Sequence, residues 1–280
     1  MKIVIIVPIL EPDDIFYNQI IPKLKNQTIE NELVLINSGK PIESKDLYEV
    51  INIDKNNFNH ANTRNIALKY PADYYLFMTQ DATPYDNTLI ENLLKPFEKD
   101  ENIVVAYARQ IPYKDAYITE VFSRNFNYPL HSFRKSKLDL ADMGIKTYFS
   151  SNSCAIYKGT YFKEKEGFKK DLNTSEDMEY AARAIEDDKT IAYAAQAKVY
   201  HSHNYTFSSL LKRYYQIGLF FKNNSWIEKS IENFASTEQS GKTFVIKECN
   251  YVRKKQPLAL IKFVLFTLAK YLGYKIGKHY

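Results

Sequence analysis

Four stretches of this sequence combine residue types at spacings that chemistry uses. The run Tyr74-Tyr75-Leu76-Phe77-Met78-Thr79-Gln80-Asp81-Ala82-Thr83-Pro84 is apolar and ends on a carboxylate followed by turn residues. Such a run reads as a buried strand, and ligands of open α/β sheets gather at the carboxyl ends of strands. Asp81 therefore stands where a ligand would be met, although an aspartate at a strand end equally serves as a turn or helix cap. In Thr174-Ser175-Glu176-Asp177-Met178, two adjacent carboxylates sit at a helix entrance. They suit a general base beside a hydroxyl. Spacing alone favours the other reading, a capping box made by Thr174 and Asp177. In His201-Ser202-His203-Asn204-Tyr205, the two imidazoles of an extended segment point the same way, as partners in a divalent-metal site or as plain hydrogen-bonding groups. HExxH is absent, which argues against a zinc hydrolase. Finally, Phe58-Asn59-His60-Ala61-Asn62-Thr63-Arg64-Asn65 crowds polar residues at a helix entrance. Arg64 there would make an anion site for a diphosphate, against a slightly favoured reading in which Asn59 or Asn62 caps the helix and Arg64 is solvated.

The elements that must hold these groups follow from periodicity. Lys2 to Pro8, Leu33 to Ile36, Val50 to Ile53, Tyr74 to Met78 and Ile103 to Ala108 read as strands, with helices from Asp14 to about Lys25 and from Asn87 to Phe97 between them. That alternation indicates βαβ units and a parallel sheet with helices on both faces. GxGxxG and GxxxxGK[ST] are both missing, so neither a standard dinucleotide fold nor a P-loop enzyme is indicated. Pro112 to Lys146 has weak periodicity and reads as a substrate-binding loop rich in aromatics. Thr147 to Tyr157 reads as a strand whose Ser150-Ser151-Asn152-Ser153-Cys154 lets a ligand approach closely. Ile191 to Ala194 and Lys198 to Tyr200 read as two short strands, and Ser208 to Lys222 as a helix. The tail from Pro257 to Tyr280 is apolar but interrupted by four lysines, so it does not make a conventional spanning helix. Its Leu265, Leu268, Leu272 and Ile276 share a lysine-free face, suited equally to a membrane surface and to docking on the protein.

Composition narrows the class. In 280 residues, 45% hydrophobic and 25% charged residues describe an ordinary globular chain. The 23 Tyr and 17 Phe suit stacking on sugars or bases, but core packing is the stronger explanation. A net charge of +5 tilts the protein towards anionic partners such as nucleotide sugars or acidic membranes, and no Lys/Arg stripe marks a nucleic-acid binder. Cys154 and Cys249 form no CxxC pattern, which fits a reducing compartment, and the amino end lacks the flanks of a signal peptide. A cytoplasmic protein is expected.

The ordered set Pro8, Asn37-Ser38-Gly39, His60 to Asn65, Gln80-Asp81-Ala82, Glu176-Asp177 and His201-Ser202-His203 resembles the family-2 glycosyltransferases of GT-A fold. Phe58 to Asn65, Thr79-Gln80-Asp81-Ala82, Arg109-Gln110-Ile111-Pro112, Phe126-Asn127-Tyr128-Pro129 and His201 to Tyr205 are similar to bacterial rhamnosyltransferases. The resemblance runs from residue 2 to about 222. It implies an α/β, GT-A type fold with a mostly parallel central sheet flanked by helices. A glycosyltransferase domain would span 1–222, with a nucleotide-binding half over 1–110 and an acceptor-binding and catalytic half over 111–222. A C-terminal helical extension over 223–280 would be open to membrane contact. The implied activity is inverting transfer of a sugar, L-rhamnose from dTDP-L-rhamnose, to a hydroxyl of a cell-surface glycan or its lipid-linked precursor. By the same resemblance, Mg²⁺ or Mn²⁺ would bridge the diphosphate, held by Asp81 and completed by His201 or His203. Asp177 would be the general base with Glu176 beside it, and Pro8, Asn37, His60, Thr63, Arg64 and Gln80 would line the nucleotide. Work at the inner face of the cytoplasmic membrane is then expected. Two positions depart from the pattern: Thr79 replaces the first carboxylate of the D-x-D motif, and Asn37 replaces the usual Asp after the second strand. They motivate the alternative of a catalytically silent nucleotide- or glycan-binding module.

Overall fold

The computed structural model describes residues 1–232, 234 and 237–279. The strands are β1 (Ile3–Ile9), β2 (Glu32–Asn37), β3 (Glu49–Asn52), β4 (Tyr74–Met78), β5 (Thr83–Pro84), β6 (Ile103–Ile111), β7 (Phe133–Lys135), β8 (Cys154–Lys158) and β9 (Thr190–Tyr200). The α-helices are α1 (Ile21–Lys25), α2 (His60–Asn65), α3 (Leu89–Lys99), α4 (Ile118–Asn127), α5 (Leu140–Met143), α6 (Gly159–Glu164), α7 (Glu176–Glu186), α8 (Phe207–Asn223), α9 (Trp226–Lys229), α10 (Thr237–Lys255) and α11 (Leu260–His279). The chain divides into two compact units. One comprises Met1–Ile111, Pro129–Lys137 and Tyr148–His201; the other comprises Pro112–Tyr128, Leu138–Thr147 and Ser202–Tyr280.

The first unit is built on one sheet in the order β3-β2-β1-β4-β8-β6-β9-β5, with β7 paired to β9. The β3-β2-β1-β4 half is parallel, as the alternation of strands and helices implies. β8 then inserts antiparallel between β4 and β6, and β5 and β7 both run antiparallel to β9, so the sheet is mixed. All seven residues of β1 are buried, because parallel strands are covered on both faces. Along β4 the two faces separate by alternation: Leu76 and Met78 join an aliphatic core with Ile5, Val7 and Leu35. Phe77 instead meets Tyr157, Phe162 and Phe168 at ring-centroid distances of 5.1–5.4 Å. Much of the aromatic content is therefore core packing.

Three expected boundaries differ. Ile191 to Ala194 and Lys198 to Tyr200 belong to one continuous β9, whose register against β6 jumps from Ala108↔Ala194 to Arg109↔Lys198. The extra residues bulge out, which sequence displays as a gap between two strands. The expected strand from Thr147 begins only at Cys154, leaving Ser150 to Ser153 as a loop. The supposed loop from Pro112 to Lys146 holds α4, β7 and α5.

In the second unit, α8 starts on a capping box, with Thr206 and Ser209 each accepting the other's backbone N–H. Helix α11 packs on α8 through Gly273 and Gly277, where an added Cβ would collide with the backbone carbonyls of Leu211 and Tyr215. Small residues four apart allow helix backbones to touch in this way. The opposite face of α11 is exposed and apolar: Ile261 is 75% exposed, Leu265 47%, Leu268 45%, Leu272 38% and Ile276 43%.

Candidate active site

The first cluster forms where β4, β6 and β9 end. The short antiparallel pairing Thr83↔Tyr200 brings the turn after β4 beside the end of β9. The amide of His201 donates to Ile111 O at 2.9 Å, and its Nε2 lies 3.5 Å from Asp81 Oδ1. Gln110 decides which imidazole nitrogen carries the proton. Its Nε2 donates to Ser151 Oγ at 2.8 Å, so its Oε1 faces His201 Nδ1 at 2.8 Å and only accepts. Nδ1 is therefore the donor, and in the neutral ring the bare Nε2 faces the Asp81 carboxylate. Two lone-pair donors directed at each other across such a gap suit a cation. His203, expected as a further ligand, follows two residues along the chain and belongs to the second unit.

The second cluster is the carboxylate pair at the start of α7. The residue before it, Ser175, has a left-handed backbone (φ 59°) and makes no side-chain cap bond, so the capping box expected from Thr174 and Asp177 is not formed. Instead, Asp177 Oδ2 accepts from Asn152 N at 2.9 Å and Oδ1 from Met178 N at 2.8 Å. Glu176 is buried against Arg64 at 3.1 Å, and its Oε1 also accepts from Asn152 Nδ2 at 2.9 Å. Asn152 is itself held by the Tyr157 hydroxyl at 2.8 Å. The two carboxylates respond in opposite directions. Burial pushes Glu176 up, but the Arg64 charge, the neighbouring His60 and the Asn152 amide outweigh it and hold Glu176 below the usual range. Enclosure by protein and the neighbouring Glu176 charge push Asp177 up to about 6, against the opposing N–H bonds. The result is one carboxylate fixed as an anion and one partly exposed carboxylate titrating just below neutrality. Two like groups pushed apart in this way suit a structural anion and a proton acceptor respectively.

The remaining expected nucleotide residues are mostly engaged by the protein. Arg64 is 2% exposed and spends its guanidinium on Glu176 and on His60 Nδ1, 3.0 Å away. Asn59 caps α2 by accepting from the amides of Ala61 and Asn62, as the favoured reading expects, but the solvated Arg64 of that reading is corrected, because Glu176 draws the guanidinium inside. Thr63 is buried and accepts from Asn59 N, while Pro8 is buried in β1 opposite Ile36. Gln80 makes a two-way amide pair with the backbone of Leu10. Asn37 Nδ2 donates to Lys40 O and Asn52 Oδ1, and its Oδ1 accepts from Gly39 N. An aspartate at this position would set two acceptors face to face at Asn52, so the departure at Asn37 has a local structural cause. Beside it, Leu10, Glu11, Ser38, Gly39, Asn52 and Asp54 line an open cleft at the ends of β1, β2 and β3. Thr79 places a buried hydroxyl, without a hydrogen-bond partner in the structure, where the pattern has a carboxylate. Gln110 and Asn152 lie in stretches that the sequence marks, but their individual roles were missed, because they depend on partners 91 and 24 residues away.

Residues 19–164 match the family Glycosyl transferase family 2. Over 289 aligned residues the chain is 39% identical to "O-antigen chain rhamnosyltransferase RfbN" of Salmonella typhimurium, covering 100% of this chain and 90% of that protein. It is 36% identical over 284 residues to "O-antigen chain rhamnosyltransferase WbaN" of Salmonella anatum, covering 99% and 89%. Among solved structures, "Mannosyltransferase PcManGT from Pyrobaculum calidifontis in complex with GDP-Man and Mn2+" superposes with a TM-score of 0.61 at 10% identity, covering 99% of this chain and 88% of that one. S. aureus TarS 1-349 in complex with UDP-GlcNAc gives 0.60 at 12% identity, covering 99% and 90%. These structural likenesses speak to fold, and the fold is the GT-A type. With a family match over half the chain and relatives above one-third identity along its whole length, the protein belongs to glycosyl transferase family 2 and is a glycosyltransferase.

Proposed function

We propose that this glycosyltransferase transfers L-rhamnose, with inversion, from dTDP-L-rhamnose to a hydroxyl of a lipid-linked O-antigen precursor. The observation that carries the mechanism is the split carboxylate pair. A single displacement needs one base poised near neutral pH, and Asp177 at about 6 is that group, while Glu176 is occupied by Arg64. Asp177 takes the acceptor hydroxyl proton as the oxygen attacks the anomeric carbon opposite the nucleotide. The rhamnosyl group and the O-antigen are read from the printed names of the two Salmonella relatives, and the dTDP leaving group and lipid-linked acceptor from the family resemblance. The donor's nucleobase would occupy the open cleft at the ends of β1, β2 and β3.

Asp81 and His201 would hold the divalent cation. One carboxylate oxygen with one imidazole nitrogen suits Mn²⁺ better than Mg²⁺, which prefers oxygen. When bound, the cation neutralises charge gathering on the departing diphosphate. Thr79 contributes no charge, so Asp81 carries the acidic part of the site. Calorimetric titration of dTDP-L-rhamnose should show tighter binding with Mn²⁺ than with chelator, by tenfold or more, and Asp81→Asn should remove that gain. Gln110→Leu should weaken Mn²⁺ by roughly 10–100-fold, since it releases the imidazole. Binding indifferent to Mn²⁺ would remove the metal from the account, and preference for another nucleotide sugar would reassign the donor.

A membrane-side location follows from the tail. Residues 249–280 contain seven Lys or Arg and no Asp or Glu, beside the exposed apolar face of α11. Such a helix lies in the lipid interface with its cations towards anionic headgroups. The protein should float with phosphatidylglycerol vesicles and not with phosphatidylcholine vesicles. The pair Leu265→Glu and Leu272→Glu, both at exposed positions, should abolish flotation; undiminished flotation would contradict this placement.

A further inference from the structure

The three asparagines of α2 and its cap are bonded within the protein. Asn59, Asn62 and Asn65 recur every third residue on a single helix face, and each is bonded to the loop that leads into Glu176 and Asp177. Asn65 pairs both ways with the backbone of Phe168, donating to its carbonyl at 2.7 Å and accepting from its N–H at 2.8 Å. Asn62 pairs both ways with Asp171, donating to its carboxylate at 2.9 Å and accepting from its N–H at 3.1 Å. Asn59 donates to Asn173 Oδ1 at 3.0 Å, and Ala61 N donates to Leu172 O at 3.2 Å.

This loop needs holding. Glu166, Gly167, Asp171 and Ser175 all have left-handed backbones, with φ of 55°, 77°, 64° and 59°. For residues other than glycine that conformation persists only where surrounding contacts impose it. Gly167 is also the only residue type that fits, since a Cβ there would collide with Asn65 Oδ1. The last left-handed residue, Ser175, sets the direction in which α7 departs and therefore where Asp177 projects. Helix α2 also grips the start of α7 through the Arg64–Glu176 ion pair, so it controls both the approach and the first turn.

We propose that Asn59, Asn62 and Asn65 form a ladder of positioning residues that aims Asp177, with the Asn62–Asp171 rung as its adjustable member. The inference rests on Asp177 being the general base. Displacing the rung lets the loop relax and turns the carboxylate from the acceptor hydroxyl, while the cleft at the ends of β1 to β3 is untouched.

The test is a reciprocal exchange. Asn62→Asp alone sets two carboxylates against each other. It should lower kcat about tenfold, leave dTDP-L-rhamnose affinity within about twofold, and move the acidic limb of the pH–rate profile below its wild-type position as water reaches Asp177. Adding Asp171→Asn restores one amide and one carboxylate across the rung, at a position whose left-handed backbone asparagine accepts, and should recover both kcat and the limb. Wild-type kcat and limb in Asn62→Asp would overturn the inference. So would a double variant that regains thermal stability without regaining kcat. Asp177→Asn separates this from failure of the underlying reading: if that variant keeps its turnover, the base assignment itself is lost, whatever the ladder does.

Discussion

Arg64→Met is expected to lower the unfolding free energy by about 3–5 kcal/mol, the scale set by removing one partner of a buried ion pair. The Arg64 and Glu176 side chains are 3% and 5% exposed, and the guanidinium lies 3.1 Å from the carboxylate. Without it, Glu176 keeps one side-chain hydrogen bond, from Asn152, and burial drives it towards the neutral form. The pH dependence has a definite sign. Glu176 in the folded wild type sits below its ordinary pKa, so the pair's contribution is present above the ordinary carboxylate range and is lost as pH falls through the depressed value. In Arg64→Met the same carboxyl is raised, so the variant's deficit should be largest near pH 7.5 and shrink towards pH 5. Urea unfolding at the two pH values measures this, and Arg64→Met combined with Glu176→Leu should recover much of the loss. A deficit under about 1 kcal/mol at pH 7.5 would show that the pair does not brace the site.

What the sequence made legible were local patterns. The run from Tyr74 to Met78 announced a strand because its apolar residues are contiguous, and Asp81 followed as a strand-end carboxylate. His201 was placed by the end of β9, and the exposed stripe from Leu265 to Ile276 by helical spacing alone. What stayed hidden depends on partners distant in sequence. The antiparallel entry of β8 between β4 and β6 is a pairing choice that no residue in Cys154 to Lys158 encodes by itself. Thr174 to Asp177 matches a capping box letter for letter, yet Ser175 turns left-handed, because Asn152 and Arg64 claim the two carboxylates. The Asn59, Asn62 and Asn65 rungs close over 114, 109 and 103 residues, and in sequence they look like polar residues at a helix entrance. Asn37 was legible as a departure from the family pattern, but its cause, the acceptor on Asn52, appeared only with β3 beside β2.

Asp177→Asn is expected to reduce turnover by about 10²–10⁴-fold while leaving donor affinity within about twofold, because a general base acts in the transition state and not on the bound nucleotide. It should do so without loss of stability. The folded pKa of Asp177, about 6, lies above the ordinary 3.8. This group's stabilising contribution is therefore full below pH 3.8 and lost as pH rises through about 6, so at neutral pH the ionised carboxylate is a burden on the fold. The amide removes the charge, gives up one of the two N–H bonds, and should leave Tm no lower than wild type at pH 7.5. Stability given up for the sake of activity is a common mark of catalytic groups. In the wild type, the same pKa should appear as an acidic limb in kcat/KM centred near pH 6.

The most direct measurement is turnover and Tm of Asp177→Asn on one preparation at pH 7.5, with dTDP-L-rhamnose binding measured in parallel. The account predicts a folded, donor-binding protein of undiminished Tm whose transfer rate has fallen at least a hundredfold. Transfer within a few-fold of wild type would contradict it, and would mean that another group takes the acceptor proton.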